Sequence, residues 1–148
     1  MKIMVINGPN LDMLGVREPE VYGNKTYSDL EKYIEDYAES VEVEVVVVQS
    51  NSEGDIIDYI HYALGTQDGI VINPGAYTHY SYAIADALAA VKLPAVEVHL
   101  SNIHKREEFR QKSVTAPSCI GQICGLGFDG YKLAIEYLAE NIKGEQND

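Results

Sequence analysis

Val43-Glu-Val-Val-Val-Val48, running into Gln49-Ser-Asn51, is the stretch that decides the architecture. A strand with one wet face alternates apolar and polar residues. This β-branched run is almost continuous, as a buried strand of a parallel sheet should be. Helical patterns flank it. Upstream, Tyr27 to Val41 sets Leu30, Tyr33, Ile34, Tyr37 and Val41 at helical spacing, with Asp29, Glu31, Lys32, Glu35 and Asp36 filling the other face. Downstream, Glu53 to Leu64 carries Ile56, Ile57, Ile60 and Leu64, with Ser52 suited to cap its start.

The same alternation extends in both directions. Lys2 to Ile6 is an apolar strand ending in the turn signal Asn7-Gly-Pro-Asn10. Gly69 to Asn73 is a strand ending at Pro74-Gly75, and His79 to Val91 is an Ala-rich helix. Pro94 to His99 and Cys119 to Cys124 read as the fourth and fifth strands, and Tyr131 to Ile142 as the last helix. Five rounds of strand and helix predict an α/β domain, a parallel sheet with helices on both faces. Five strands favour the flavodoxin-like order 2-1-3-4-5. Residues 1–148 read as a single domain, with Gly144 to Asp148 as a frayed tail.

Composition narrows the function. The net charge of -12 argues against nucleic acid and anionic membrane surfaces as partners. No apolar run approaches the ~20 residues that span a bilayer. The N-terminal residues enter a strand without a cleavage signal. The two cysteines, Cys119 and Cys124, match neither a redox pair nor half a zinc site. In a strand, their offset of five would place them on opposite faces. Inert thiols in a reducing compartment are expected, and the localisation is expected to be cytoplasmic.

The chemistry gathers where this fold binds ligands, outside the carboxyl ends of the strands at the reversal of strand order. Strand one ends at Asn7-Gly-Pro-Asn10, strand three at Asn73-Pro-Gly-Ala-Tyr-Thr-His79, and strand four at His99-Leu-Ser-Asn102. Strand two ends in Gln49-Ser-Asn51, toward the sheet edge, where turn and capping roles are expected. Glu97 and His99 lie two apart in a strand and so share a face. A carboxylate beside an imidazole fixes its tautomer and raises its basicity, which prepares an acid-base histidine. The loop from Gly8 to Lys25 exceeds the usual 2–6 residues of such connections. It carries Arg17-Glu-Pro-Glu-Val-Tyr22-Gly23, and an arginine beside a tyrosine can stabilise phenolate. The chain's three arginines, Arg17, Arg106 and Arg110, all fall in these two segments, which suits binding of a carboxylate or another oxyanion.

Taken together, Asn7-Gly-Pro-Asn-Leu, Arg17-Glu-Pro…Tyr22-Gly, Gln49-Ser-Asn-Ser-Glu-Gly, Ile72-Asn-Pro-Gly-Ala-Tyr-Thr-His79, Glu97-Val-His-Leu-Ser-Asn-Ile-His104 and Gly125-Leu-Gly-Phe-Asp-Gly-Tyr131 closely resemble the type II 3-dehydroquinate dehydratase family. The resemblance covers essentially the whole chain. It implies a flavodoxin-like hydro-lyase of the shikimate pathway that interconverts 3-dehydroquinate with 3-dehydroshikimate and water, with no metal or organic cofactor. By resemblance, Tyr22 is the base that removes the C2 proton and Arg17 holds it ionised. Asn10 helps stabilise the enolate through an ordered water. His99 protonates the departing C1 hydroxyl, oriented by Glu97. Asn73, His79, Leu100, Ser101 and Arg110 match positions that hold the substrate, with the backbone at Gly75 and Ala76 in the same loop.

Asp86 lies seven residues from His79, roughly 10 Å along one helix face at 1.5 Å per residue, so one small ligand would not easily touch both within one subunit. The resemblance implies that the aspartate reaches a neighbouring subunit's site, in a dodecamer built from trimers. Three positions depart from the family pattern. Asp12 replaces a usual Asn, Tyr80-Ser81 replaces Thr-Ser, and Ala85 replaces an Arg that commonly precedes the helix aspartate.

Other readings compete. Gly125-x-Gly-x-x-Gly130 has the form of a dinucleotide fingerprint but lacks the following strand and acidic residue, and tight helix packing accounts for it better. A flavin- or nucleotide-binding module without catalysis would not require Tyr22, Arg17 and His99. A receiver domain would need a phosphorylatable aspartate at a strand end. A metal hydrolase on Glu97, His99 and His104 would draw its ligands from strand and loop. Schiff-base catalysis needs a desolvated lysine, and no lysine sits inside an apolar strand run. His61, beside the apolar stripe of the second helix, is assigned no role.

Overall fold

A computed structural model of the chain describes residues 1–16, 20 and 23–146. Five strands form one parallel sheet: β1 (Lys2–Asn7), β2 (Glu44–Gln49), β3 (Gly69–Asn73), β4 (Ala95–His99) and β5 (Gly121–Cys124). Their order is β2-β1-β3-β4-β5, the flavodoxin-like order expected of the alternating pattern. The described helices are α1 (Tyr27–Ser40), α2 (Glu53–Ala63), α3 (Tyr82–Val91) and α4 (Asp129–Gln146). No helix among the described residues is long and apolar enough to cross a membrane.

Strand alternation divides the core in two. Ile3, Val5, Val71, Val96 and Val98 pack with Leu30 and Ile34 of α1 and with Tyr131, Ile135 and Leu138 of α4. Met4, Ile6, Ile70 and Ile72 pack on the other face against Ile56 and Ile60 of α2 and Ile84 and Leu88 of α3. Fully burying each such Leu or Ile contributes about 1.5–3 kcal/mol. The period of two then aims the polar strand ends. Asn7 and Asn73 follow Val5 and Val71 onto the α1/α4 face, whereas Glu97 and His99 follow Ala95 onto the α2/α3 face. Register completes the arrangement, since Asn7 of β1 pairs with Asn73 of β3 and with Gln49 of β2.

Helix starts follow their caps. Thr26 and Asp29 make a reciprocal capping box at α1. Ser52 and Ser81 accept the Asp55 and Ile84 amides at α2 and α3. A Cβ on Gly130 would stand 3.1 Å from Val98 Cγ1, so the last glycine of the fingerprint-like run serves close packing of α4 on β4.

Several expectations are corrected. The valine-rich strand is less buried than its sequence suggests: it lies at the sheet edge, as the strand order implies, and Val46 is 40% exposed. The helix expected from His79 begins at Tyr82. His79 closes a separate 3-10 turn, Gly75–His79, and the chain breaks at Tyr80 (φ −152°, ψ −5°), where Ser81 caps afresh. His79 and Asp86 therefore share no helix face. The fifth strand begins at Gly121, and Cys119 precedes it in the loop. The opposite-face argument for the two cysteines therefore does not apply. Burial, reinforced by the Glu97 charge, pushes the Cys119 thiol up to about 12 and Cys124 to about 11, which leaves both thiols protonated and unreactive. α4 is assigned through Gln146, and Asn147 and Asp148 lie outside the described residues.

Candidate active site

The loops after β1, β3 and β4 meet in a single crevice at the carboxyl end of the sheet. It is lined by Asn10 from the first loop, Asn73 and His79 from the second, and His99, Leu100, Ser101 and Arg110 from the third. These are seven of the residues singled out in the sequence. The first two loops touch backbone to backbone. The Gly8 amide donates to the Asn73 carbonyl at 2.8 Å, and a Cβ on Gly8 would meet the Pro74 carbonyl oxygen at 2.6 Å. Only glycine admits that approach.

Glu97 is fully buried and His99 is 6% exposed. His99 Nε2 lies 3.0 Å from Glu97 Oε2. A carboxylate only accepts, so Nε2 carries the proton, and Nδ1 is the nitrogen left for the cavity. Three further donors converge on the carboxylate. Ser113 Oγ and Gln122 Nε2 reach Oε2 at 2.9 and 2.6 Å, and Thr115 Oγ1 donates to Oε1. Thr78 ties the two hydroxyls together, 2.8 Å from each. Burial raises a carboxyl's pKa, but here the His99, Thr115 and Gln122 donors and the histidine's charge outweigh it and hold Glu97 below its ordinary value. The crevice thus contains an imidazole with a fixed, ionised partner, the arrangement that lets a histidine give up a proton and recover it.

His79 is set for a different task. Its Nδ1 lies 2.7 Å from the Lys112 carbonyl, which only accepts, so Nδ1 donates and Nε2 is an acceptor. Burial, helped by the nearby His99 and Arg110, lowers its pKa and favours the neutral ring. Its ring meets Phe109 edge-on at 6.0 Å. Phe109 in turn carries the Arg110 guanidinium at 4.7 Å, and Arg110 Nε pairs with Glu107. Arg110 is thereby held at the crevice with the rest of its fork available to an oxyanion. Arg106 lines the same wall.

Asn10 stands in the left-handed region (φ 70°), and its amide donates to Asn51 Oδ1 at 3.0 Å. Gln49 Nε2 bridges the Gly8 carbonyl and Asn51 Oδ1, 3.1 Å from each, and the Tyr77 hydroxyl donates to the Asn51 carbonyl at 2.8 Å. The end of β2, expected only to make turns and caps, therefore also clamps the site's first loop. Ser50 and Ser52 do serve the α2 start as expected.

Not every singled-out residue comes to the crevice. Asp86 is exposed on α3 and does not line it. Arg17 and Tyr22 lie outside the described residues. His104 is exposed, and among the described residues no group of three or more His, Cys, Asp or Glu is placed to hold a metal ion. Of the departures, Asp12 and Tyr80 are exposed while Ala85 is buried, and Tyr80 packs edge-on against Tyr77 at 5.7 Å. Sequence reasoning missed Ser113, Thr115 and Gln122, which reach Glu97 from 16, 18 and 25 residues away. The hydroxyl triplet Ser113-x-Thr115 after a charged loop was their one local signal.

Comparison with known proteins places this geometry. A family model described as dehydroquinase class II matches residues 1–139. The 3-dehydroquinate dehydratase of Clostridium acetobutylicum is 61% identical over 138 residues, 93% of this chain and 96% of that protein. The protein of the same name from Thermotoga neapolitana is 64% identical over 138 residues, 93% of this chain and 94% of its own. The crystal structure of the type II dehydroquinase from Butyrivibrio crossotus superposes with a TM-score of 0.93 at 57% identity, covering 94% of this chain and 97% of that one. With a family match that spans all five strands and the whole crevice, this chain belongs to the class II dehydroquinases.

Proposed function

We propose that this chain is a hydro-lyase that interconverts 3-dehydroquinate with 3-dehydroshikimate and water in the shikimate pathway, through an enolate. The observation that carries this reading is the buried Glu97–His99 pair opening into a crevice shared with Asn10, Asn73, His79, Ser101 and Arg110. Elimination of water from a hydroxyl β to a ketone needs three things. A base must take the α proton, polar groups must stabilise the enolate, and an acid must protonate the leaving hydroxyl.

Tyr22 takes the base role, by resemblance and by its place in the Gly8–Lys25 loop, with Arg17 holding its phenolate. It removes the C2 proton and the electron pair passes to the carbonyl oxygen. Asn10 supports that oxyanion through a water. The enolate then expels the C1 hydroxyl, which His99 protonates to water. Glu97 supports the transfer by accepting from His99 Nε2, which keeps Nδ1 directed at the crevice. Arg110 suits the substrate carboxylate, and Asn73, neutral His79, Ser101 and the backbone at Leu100 suit its hydroxyls. No metal or organic cofactor enters. Asp86, exposed on α3, is available to a neighbouring subunit; by resemblance, the chain assembles as a dodecamer built from trimers and acts in the cytoplasm.

The test is the absorbance rise of the conjugated enone when purified protein meets 3-dehydroquinate in the presence of chelator. A prompt rise is expected, with turnover reduced on the order of 10²–10⁴-fold in Tyr22→Phe while substrate still binds. No rise from folded, oligomeric protein would move the chain to a binding module. A normal rate in Tyr22→Phe would remove that residue as the base.

A further inference from the structure

We infer that Tyr131 is a positioning residue for substrate binding, acting through Asn73 by a one-way chain of hydrogen bonds buried beneath the crevice. The inference rests on the reading that Asn73 holds substrate. Tyr131 lies in the first turns of α4 and its side chain is wholly buried. It takes no part in the chemistry proposed above, yet its hydroxyl sits between the two asparagines that end β1 and β3. The Tyr131 hydroxyl donates to Asn7 Oδ1 at 2.6 Å and accepts from Asn73 Nδ2 at 2.9 Å.

The direction of the chain is fixed at one end. The Gly75 backbone amide lies 3.1 Å from Asn73 Oδ1 and can only donate. That assigns Asn73 Oδ1 as the acceptor and turns Nδ2 toward Tyr131. The phenol oxygen accepts there, so its hydrogen must go to Asn7, whose oxygen faces it. No member can reverse without breaking the backbone bond. Asn73 thereby presents a single orientation, with one amide hydrogen and one carbonyl lone pair left over for a ligand. Among the described residues, Asn7 Nδ2 ends the chain without a hydrogen-bond partner within bonding geometry. The neighbouring Tyr27 phenol is raised to about 12, chiefly by burial, although contact with Asn7 works against that rise.

A crevice-lining amide that could flip would offer substrate a donor or an acceptor at random. Ordering it beforehand removes that entropy from the binding step. The loss of one net hydrogen bond of ordinary strength corresponds to about five- to tenfold in affinity. Tyr131→Phe is therefore expected to raise KM about five- to tenfold with kcat changed less than about threefold, the pattern of an interaction equal in ground and transition states.

The experiment is a double-mutant cycle on the full chain, with kcat, KM and thermal midpoint measured for Tyr131→Phe, Asn73→Ala and the pair. If Tyr131 acts through Asn73, Tyr131→Phe adds nothing to KM in the Asn73→Ala background. If the effects on KM multiply, or Tyr131→Phe lowers the midpoint while leaving KM unchanged, the positioning role is overturned. An unchanged KM in Asn73→Ala overturns the substrate-binding reading of Asn73, and the proposal with it. Asn7→Ala keeps the Tyr131 ring in place and removes only its acceptor, so it serves should Tyr131→Phe not fold. A KM raised about two- to fivefold is expected there, and an unchanged KM would reject the chain.

Discussion

Replacing Glu97 by glutamine tests the electrostatic logic of the site with the least change of shape. The carboxylate accepts from His99, Ser113, Thr115 and Gln122. Glutamine can set its oxygen at the Oε2 position, where three of these donors converge. Its amide then faces Thr115, whose hydroxyl can rotate to accept. Connectivity survives and the charge is lost. A hydrogen bond to a charged group contributes about 1.5–3 kcal/mol, against about 0.5–1.5 for a neutral one. The difference for the His99 bond is about 1–1.5 kcal/mol, or roughly tenfold in rate where the transition state makes full use of it. Steady-state rates followed by enone absorbance across pH are the assay. kcat should fall on the order of tenfold. KM should stay within about threefold, because Glu97 does not line the crevice. A kcat that stays near the parent value, or a KM that rises along with the fall in kcat, would refute the reasoning.

Three further outcomes follow from the same structure. Gly8→Ala forces a Cβ to 2.6 Å from the Pro74 carbonyl oxygen, so the first loop must lift; a loss of about 1–3 kcal/mol in denaturant unfolding and a clear fall in turnover are expected. Asn51→Ala frees the Asn10 amide, and should lower kcat/KM several-fold with the midpoint of unfolding little changed, checked by kinetics beside calorimetry. Glu97's pKa is lowered on folding, so its stabilising effect is complete above about 4.5 and is lost as pH falls through the lowered folded value. The stability difference between the parent chain and Glu97→Gln should accordingly shrink on acidification below about 4.5, read from unfolding midpoints against pH.

The elements were legible where periodicity was strong. β1, β3, α1 and α2 stand within a residue or so of the patterns that predict them, and strand order followed from their alternation. The start of α3 was not legible, because Thr78, His79 and Tyr80 continue a helical pattern that Ser81 cuts by capping a new one. The exposure of β2 was not legible in its valine run, which reports that a strand resists water; it follows instead from the edge place that the strand order implies. In the crevice, residues at strand ends were readable because strand ends define the site in this fold. The donors to Glu97 and the Tyr131 chain were not, since those contacts join segments 16 to 124 residues apart and depend on how helices and loops return over the sheet.

The Asn7–Tyr131 bond has a consequence for the making of the protein. On a ribosome the first strand emerges early, and its partner phenol follows 124 residues later. Until then Asn73 has nothing to hold its amide from below, even if β1, β2 and β3 have already paired. The nascent chain can acquire a sheet well before it acquires a working crevice. Ligand affinity during synthesis should therefore arrive late and abruptly, when α4 seats, and stalled chains ending before Tyr131 should bind substrate poorly however much strand structure they contain.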